Sequence, residues 1–170
     1  MSALPQTQLL LSSESYRKFD REIAKYPAQR RQSAVMAVLA IAQDQFRWLS
    51  QEVIEEVAAY LQMPPIAVYE VASFYGMYNT APIGKFKITV CTNLPCALSG
   101  ATAAAAHLKR RLGIGFGETS GDGQFTLKEG ECLGACGDAP VLLVNNRRMC
   151  SFMSNERIDA LLDELKQPES

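Results

Sequence analysis

Histidine is nearly missing from this chain of 170 residues: it occurs once, at position 107. That scarcity rules out a Rieske-type centre, which needs two histidines beside two cysteines. His107 lies in an alanine-rich helical stretch and reads as a surface or helix-packing residue. Surplus charge of either sign is also missing. Seventeen Lys and Arg oppose eighteen Asp and Glu, for a net charge of −1. No basic excess points to nucleic acid, and no acidic tail is present. Lys109-Arg110-Arg111 and Arg147-Arg148 are short and read as solvated faces. The longest apolar run, Ala34 to Ala42, falls far short of the roughly 20 residues that cross a bilayer. The first twenty residues have no basic n-region, no cleavage-like site and no Arg-rich transit pattern, so a cytosolic chain without direct membrane insertion is expected. A reducing compartment makes structural disulfides unusual. No Cys-x-x-Cys occurs, which argues against thioredoxin-type thiol exchange. Gly113, Gly115 and Gly117 follow a helix rather than opening one, so they read as a loop and not as a dinucleotide fingerprint. Ser, Asp and Glu form no triad or carboxylate pair, so no catalytic residue is named.

Against these absences stand five cysteines, four of them in two pairs. Cys91 and Cys96 are spaced C-x4-C, and Cys132 and Cys136 are spaced C-x3-C, with 35 residues between the pairs. Four thiolates so arranged can hold one rhombic [2Fe–2S] cluster, each pair clamping one iron. Two ferric ions, two sulfides and four thiolates sum to a charge of −2, and reduction makes it −3. A loop around such an anion needs close backbone approach, and Gly134 and Gly137 are interleaved with the second pair. Structural zinc is the rival, since both spacings fall within its range. C-x4-C favours the cluster, because it recurs in plant-type ferredoxins. Cys150, between Met149 and Ser151, has no partner at ligand spacing and reads as a small buried hydrophobe.

Taken in order, residues 1–11 are expected to be a flexible N-terminus. Ser12 or Ser13 caps a helix to about Lys25, with Tyr16, Phe19 and Ile23 on one face. Gln29 to Gln45 reads as one helix, wide-faced enough to be central in a bundle. Phe46 to Leu49 is a connection that buries its aromatics. Ser50 caps Gln51 to Leu61, and Pro64-Pro65 open Ile66 to Tyr75. Residues 12–80 are thus a four-helix region, and Gly76 to Gly84 reads as its boundary. Residues 85–166 follow another rhythm. Lys85 to Thr92 alternates Phe86, Ile88 and Val90 against Lys85, Lys87 and Thr89, as a half-buried strand does. Ala97 to Leu112 is a helix. A strand from Gln124 runs towards Cys132, and Val141 to Val144 is another. Asn145-Asn146 turns a hairpin into a returning strand, Arg147 to Phe152. Ser154 caps a last helix, Asn155 to Leu165. The order strand, helix, strand, hairpin, helix is thioredoxin-like. Cys91 ends a strand, Cys96 precedes a helix, and the second pair follows the next strand, so two loops can face each other at one end of a sheet. The fold class is α/β, an N-terminal helical bundle followed by a thioredoxin-like domain.

Three motifs carry a family resemblance. Ile88-Thr89-Val90-Cys91-Thr92-Asn93-Leu94-Pro95-Cys96 is the first, and Phe125-Thr126-Leu127 with Glu131-Cys132-Leu133-Gly134-Ala135-Cys136 and Ala139-Pro140-Val141 is the second. The third is the helix Val68-Tyr69-Glu70-Val71-Ala72-Ser73-Phe74-Tyr75. In this order they resemble the small [2Fe–2S] subunit of the NADH-oxidising module of respiratory complex I, from about Tyr16 to Leu165. The resemblance implies a thioredoxin-like [2Fe–2S] ferredoxin domain, with Cys91, Cys96, Cys132 and Cys136 as the iron ligands. It implies an electron-carrier subunit of NADH:quinone oxidoreductase, without a substrate site of its own. Its partner would be the NADH- and FMN-binding flavoprotein subunit, with flavin and NADH held only there, and through it the peripheral arm at the inner face of the membrane. The same subunit type occurs in soluble NAD-dependent hydrogenases and formate dehydrogenases, which stay open as parent complexes. A zinc-stabilised interaction module is the reading of a different class. Phe74, Tyr75, Met77 and Tyr78 are either a docking face or core.

Overall fold

The computed structural model describes residues 10–167 and divides into two compact units, with the boundary between Pro82 and Ile83. The expected flexibility of residues 1–9 falls outside the described residues. Leu10 and Leu11, the last two residues of the stretch 1–11 expected to be flexible, are tied to the helical unit. Their N–H groups donate to the Glu56 carboxylate, and Leu11 is buried.

The first unit is helical. Ser12 caps α1, Ser13–Ile23, by accepting from the Ser15 N–H. Ser50 caps α3, Gln51–Leu61, through the Val53 N–H. Each such cap satisfies an otherwise orphaned N–H and contributes about 1 kcal/mol. The expected helix from Gln29 to Gln45 is broken. Ala28–Ala34 winds as a tighter 3₁₀ stretch, Arg30 leaves helical geometry at φ −121° and ψ 27°, and only Val35–Phe46 is α-helical, as α2. Pro65 begins α4, Pro65–Phe74, at a position where its missing N–H costs nothing. Phe19, Val38, Leu39, Val57, Leu61 and Val68 fill the core between these helices. The connection after α2 buries Leu49, while Phe46 and Trp48 are only half-buried. The aromatic run at the end of α4 divides. Phe74 is 80% exposed, whereas Tyr78 is buried and its hydroxyl donates to the Met36 carbonyl at 2.7 Å.

The second unit is a four-stranded sheet of order β2-β1-β3-β4. β1, Phe86–Cys91, runs parallel to β2, Phe125–Gly130, with Phe86 opposite Phe125 and Cys91 opposite Gly130. β3, Leu142–Val144, is antiparallel to β1, and β4, Arg148–Cys150, is antiparallel to β3. Asn145 and Asn146 turn the hairpin with φ of 50° and 57°, the left-handed pair a tight two-residue turn needs. One sheet face carries Ile88, Val90, Phe125, Leu127, Leu142, Val144 and Cys150. It packs against α6, Thr102–Leu112, and α7, Asn155–Lys166. His107 on α6 meets Asp159 on α7 at 2.8 Å, a helix-packing role. Cys150 is a buried strand residue. Arg148 pairs with Glu164 through both guanidinium ends, and Arg111 Nε reaches Asp159 at 2.7 Å.

Two details depart from expectation. The helix from Ala97 to Leu112 opens with a wide π turn, Ala97–Ala101, in which Gly100 takes φ 96°, and regular winding starts only at Thr102. Lys87, expected on an exposed strand face, is only 1% exposed. Its face is covered at this level. Lys87 stands opposite Thr126, whose hydroxyl oxygen accepts from the Gly84 N–H at 2.7 Å and bonds Thr119 at 2.7 Å.

Burial, and secondarily the charge of Lys128, lowers the Lys87 amine to about 8. An unfolded lysine titrates near 10.4. The unfolded chain therefore holds more protons between these values, and this group makes stability rise with pH from about 8 to about 10.4. Lys87→Met should abolish that rise. Urea denaturation of both proteins across this range checks it, and identical pH dependence would show that the ammonium is not desolvated.

Candidate cluster site

The parallel pairing of β1 with β2 sends both cysteine loops off the same end of the sheet. At that end the Cys91 N–H donates to the Val141 carbonyl at 3.2 Å, and the Thr92 N–H donates to the Gly130 carbonyl at 3.0 Å. The Thr92 hydroxyl donates to Glu129 at 2.8 Å, a second tie between the first loop and β2. The chain then makes one helical turn, α5, Leu94–Cys96, with Pro95 inside its first turn. The Ala97 N–H bonds back to Asn93 and the Ser99 hydroxyl to the Pro95 carbonyl, which fixes the direction of Cys96.

The second loop is built differently. Gly134 adopts φ 73°, a left-handed conformation that costs a side-chain-bearing residue about 1–2 kcal/mol. That turn aims the Gly134 N–H at Cys132 Sγ, 3.4 Å away. Cys136 opens a single 3₁₀ turn, Cys136–Asp138, and a cis Ala139–Pro140 bond follows. The Ser151 hydroxyl donates to Asp138 at 2.9 Å.

The four cysteines expected as ligands come to one neighbourhood. The Cys91 thiol points at the Glu131 carbonyl of the second loop, 3.7 Å away. Cys91 and Cys96 are each 1% exposed, in an apolar patch with Ala101 and Val141 and edged by Leu133, Ala135 and Ala139. Cys132 and Cys136 are exposed. The Cys96 thiol is pushed up, first by burial, then by its hydrogen bond to Cys91 and by the charges of Cys91, Cys136 and Cys132. The Cys96 sulfur therefore feels the other three electrostatically. Ionising them together needs a positive charge among them, which iron would supply. Among the described residues no three His, Cys, Asp or Glu side chains stand close enough to hold one metal ion. The sulfurs share a neighbourhood without meeting at a point. Two of the nearby acids, Glu129 and Asp138, are engaged by hydroxyls. The donor set and the turned backbone of the second loop fit a small sulfur-ligated group.

Cys150 is not among the four. It does lie at the same end of the sheet, because Cys150 stands opposite Leu142, and Leu142 opposite Val90. The hairpin doubles back and brings it level with the cysteine loops, so chain direction alone does not exclude it. Thr92, Glu129, Asp138 and Ser151 are the site residues sequence reasoning missed. Their bonds span 37 and 13 positions, and no local spacing announces them.

Several known proteins are similar to this chain. An NADH-quinone oxidoreductase subunit from Rhizobium meliloti is 44% identical over 146 residues, 86% of this chain and 85% of that protein. An NADH-quinone oxidoreductase subunit from Thermus thermophilus is 40% identical over 147 residues, 86% of this chain and 81% of that protein. Mitochondrial NADH dehydrogenase [ubiquinone] flavoprotein 2 from Dictyostelium discoideum is 42% identical over 156 residues, and the match spans 63% of its length. A crystal structure of an NAD+-reducing [NiFe]-hydrogenase superposes on 75% of this chain with a TM-score of 0.65 and 25% identity, and the match spans 22% of that hydrogenase chain. The family model for thioredoxin-like [2Fe–2S] ferredoxins runs from residue 19 to residue 166, through both cysteine loops and most of the helical unit. The chain belongs to the thioredoxin-like [2Fe–2S] ferredoxin family.

Proposed function

We propose that this chain is the electron-carrier subunit of an NADH:quinone oxidoreductase of the complex I type, with one [2Fe–2S] cluster ligated by Cys91, Cys96, Cys132 and Cys136. One observation carries the reading: two cysteine loops leave the same end of a parallel strand pair, and their four sulfurs share one electrostatic neighbourhood. The cluster supplies a one-electron station, so that the two electrons of a hydride taken up elsewhere can be passed on singly. The protein supplies the asymmetry. Cys91 and Cys96 sit against apolar side chains that exclude water. Cys132 and Cys136 lie at the surface, which makes the second loop the side open to a partner. On this reading that partner is the NADH- and FMN-binding flavoprotein subunit, and its support is that the relatives are named as parts of NADH-oxidising complexes. No helix among the described residues is long and apolar enough to cross a membrane. The chain would reach the inner face of the membrane through the complex. The likeness to a hydrogenase chain supports a second parent complex, a soluble NAD-reducing enzyme with the same carrier role. Identities of 40–44% to NADH-quinone oxidoreductase subunits against 25% to the hydrogenase favour the first. Co-purification from the native host separates them.

Produced with iron under anaerobic conditions, the chain should be brown and hold about two irons and two labile sulfides. Stoichiometric zinc in a colourless, iron-replete preparation would sink the reading.

Alanine at any of the four paired cysteines should abolish the EPR signal of the reduced protein. Cys150→Ser should preserve it, at a stability cost of about 1–3 kcal/mol for a hydroxyl in an apolar site. A signal lost with Cys150→Ser and kept with Cys136→Ala would mean that the ligand set is wrong.

The isolated chain should not turn over NADH with ferricyanide, because it carries no flavin or dinucleotide motif. Robust turnover would overturn the carrier role.

A further inference from the structure

Cys136 is an exposed residue on a single 3₁₀ turn, so packing does not hold it in place. Hydrogen bonds from another part of the fold do. The chain between β4 and α7 passes beside this turn. Phe152 takes a left-handed conformation there, φ 54°. This bend points two successive N–H groups the same way. Phe152 donates to the Asp138 carbonyl at 2.7 Å, and Met153 donates to the Pro140 carbonyl at 2.9 Å. Ser151 completes the contact, its hydroxyl donating to Asp138 Oδ2 at 2.9 Å. Three consecutive residues thus grip residues 138–140, directly after Cys136. Two of the bonds are backbone and survive any side-chain change. The third depends on Ser151.

We propose, on the reading that Cys132 and Cys136 are ligands, that Ser151 is a positioning residue for the cluster: through Asp138 it fixes the turn that presents Cys136. The Ser151 side chain is bonded to Asp138 in the turn itself. Outer hydrogen bonds that orient a metal ligand typically change metal retention severalfold to a hundredfold. This one is partly solvated and has two backbone bonds beside it, so its effect belongs at the low end.

The test uses the full chain with its cluster assembled anaerobically. Chelator-driven bleaching of the visible absorption gives the release rate, and EPR of the reduced protein gives the g-values. Ser151→Ala should release the cluster about fivefold faster, as loss of one such hydrogen bond implies, and shift the g-values. Ser151→Thr keeps the hydroxyl and should match the wild type. Asp138→Ala removes the acceptor and should match Ser151→Ala, and the double variant should be no worse than either single one, because the two share one bond. Ser154→Ala, in the same connection, removes the cap of α7 instead. It should lower the melting temperature and leave release unchanged. Ser151 has no positioning role if Ser151→Ala releases at the wild-type rate, if Ser151→Thr releases as fast as Ser151→Ala, if the double variant shows additive loss, or if Ser154→Ala accelerates release equally. Failure of the cluster reading itself looks different: the wild-type chain would then give no [2Fe–2S] signal.

Discussion

Six residues of β1 pair in parallel with six of β2, and the cysteine site exists because of that direction. Parallel strands finish at the same end of a sheet. Antiparallel pairing of the same two strands would carry the two cysteine pairs to opposite ends. A parallel pair needs a long crossover, here α6 and the glycine-rich segment after it. Its length explains the wide gap between Cys96 and Cys132. The crossover also covers one sheet face, so one piece of chain satisfies both the topology and the core.

The two loops hold their cysteines by different physics. The first loop is buried, and its geometry follows from packing: Cys91 is the last residue of a central strand, and Cys96 lies on a helical turn against Ala101 and Val141. The second loop is exposed, and its geometry follows from directed bonds. Gly134 turns its N–H onto Cys132, and the segment after β4 grips residues 138–140. An apolar wall shields one pair from water, while the other remains reachable. Both arrangements keep sulfurs close that would repel one another as thiolates. Burial raises the Cys96 thiol first, and the neighbouring sulfurs raise it further.

Much of this was legible in the sequence, and what was not has a common cause. Ser12, Ser50 and Ser154 announce their helices because a cap bonds only two or three residues onward. Asn145-Asn146 announces its hairpin because asparagine tolerates left-handed backbone. These are local bonds. Lys87 misled because strand alternation says which face a residue takes, and not what lies over that face. The break at Arg30 lies in a polar run, Gln29 to Ser33, where no apolar period marks where a helix begins. The wide turn at Ser99-Gly100 interrupts a run of small residues that any helical winding accommodates. Thr92 with Glu129, and Ser151 with Asp138, are pairings that only the folded chain creates. The cysteine pairs stood out because metal-ligand spacing is itself a local pattern.

The fifth cysteine shows how finely the site is drawn. Rows across a sheet connect Val90 to Leu142 and Leu142 to Cys150, so Cys150 is level with the residue beside Cys91. Two features still separate it. Neighbouring strands are about 4.8 Å apart, which places Cys150 roughly 10 Å across the sheet from Val90. Side chains also alternate between faces. Cys150 shares the face of Val90 and Leu142 and packs into the core beneath α7, whereas Cys91, one residue on from Val90, turns the other way. A thiol can be at the right end of the right sheet and remain apart from its neighbours, because strand spacing and the pleat, not sequence distance, decide which sulfurs can share a metal.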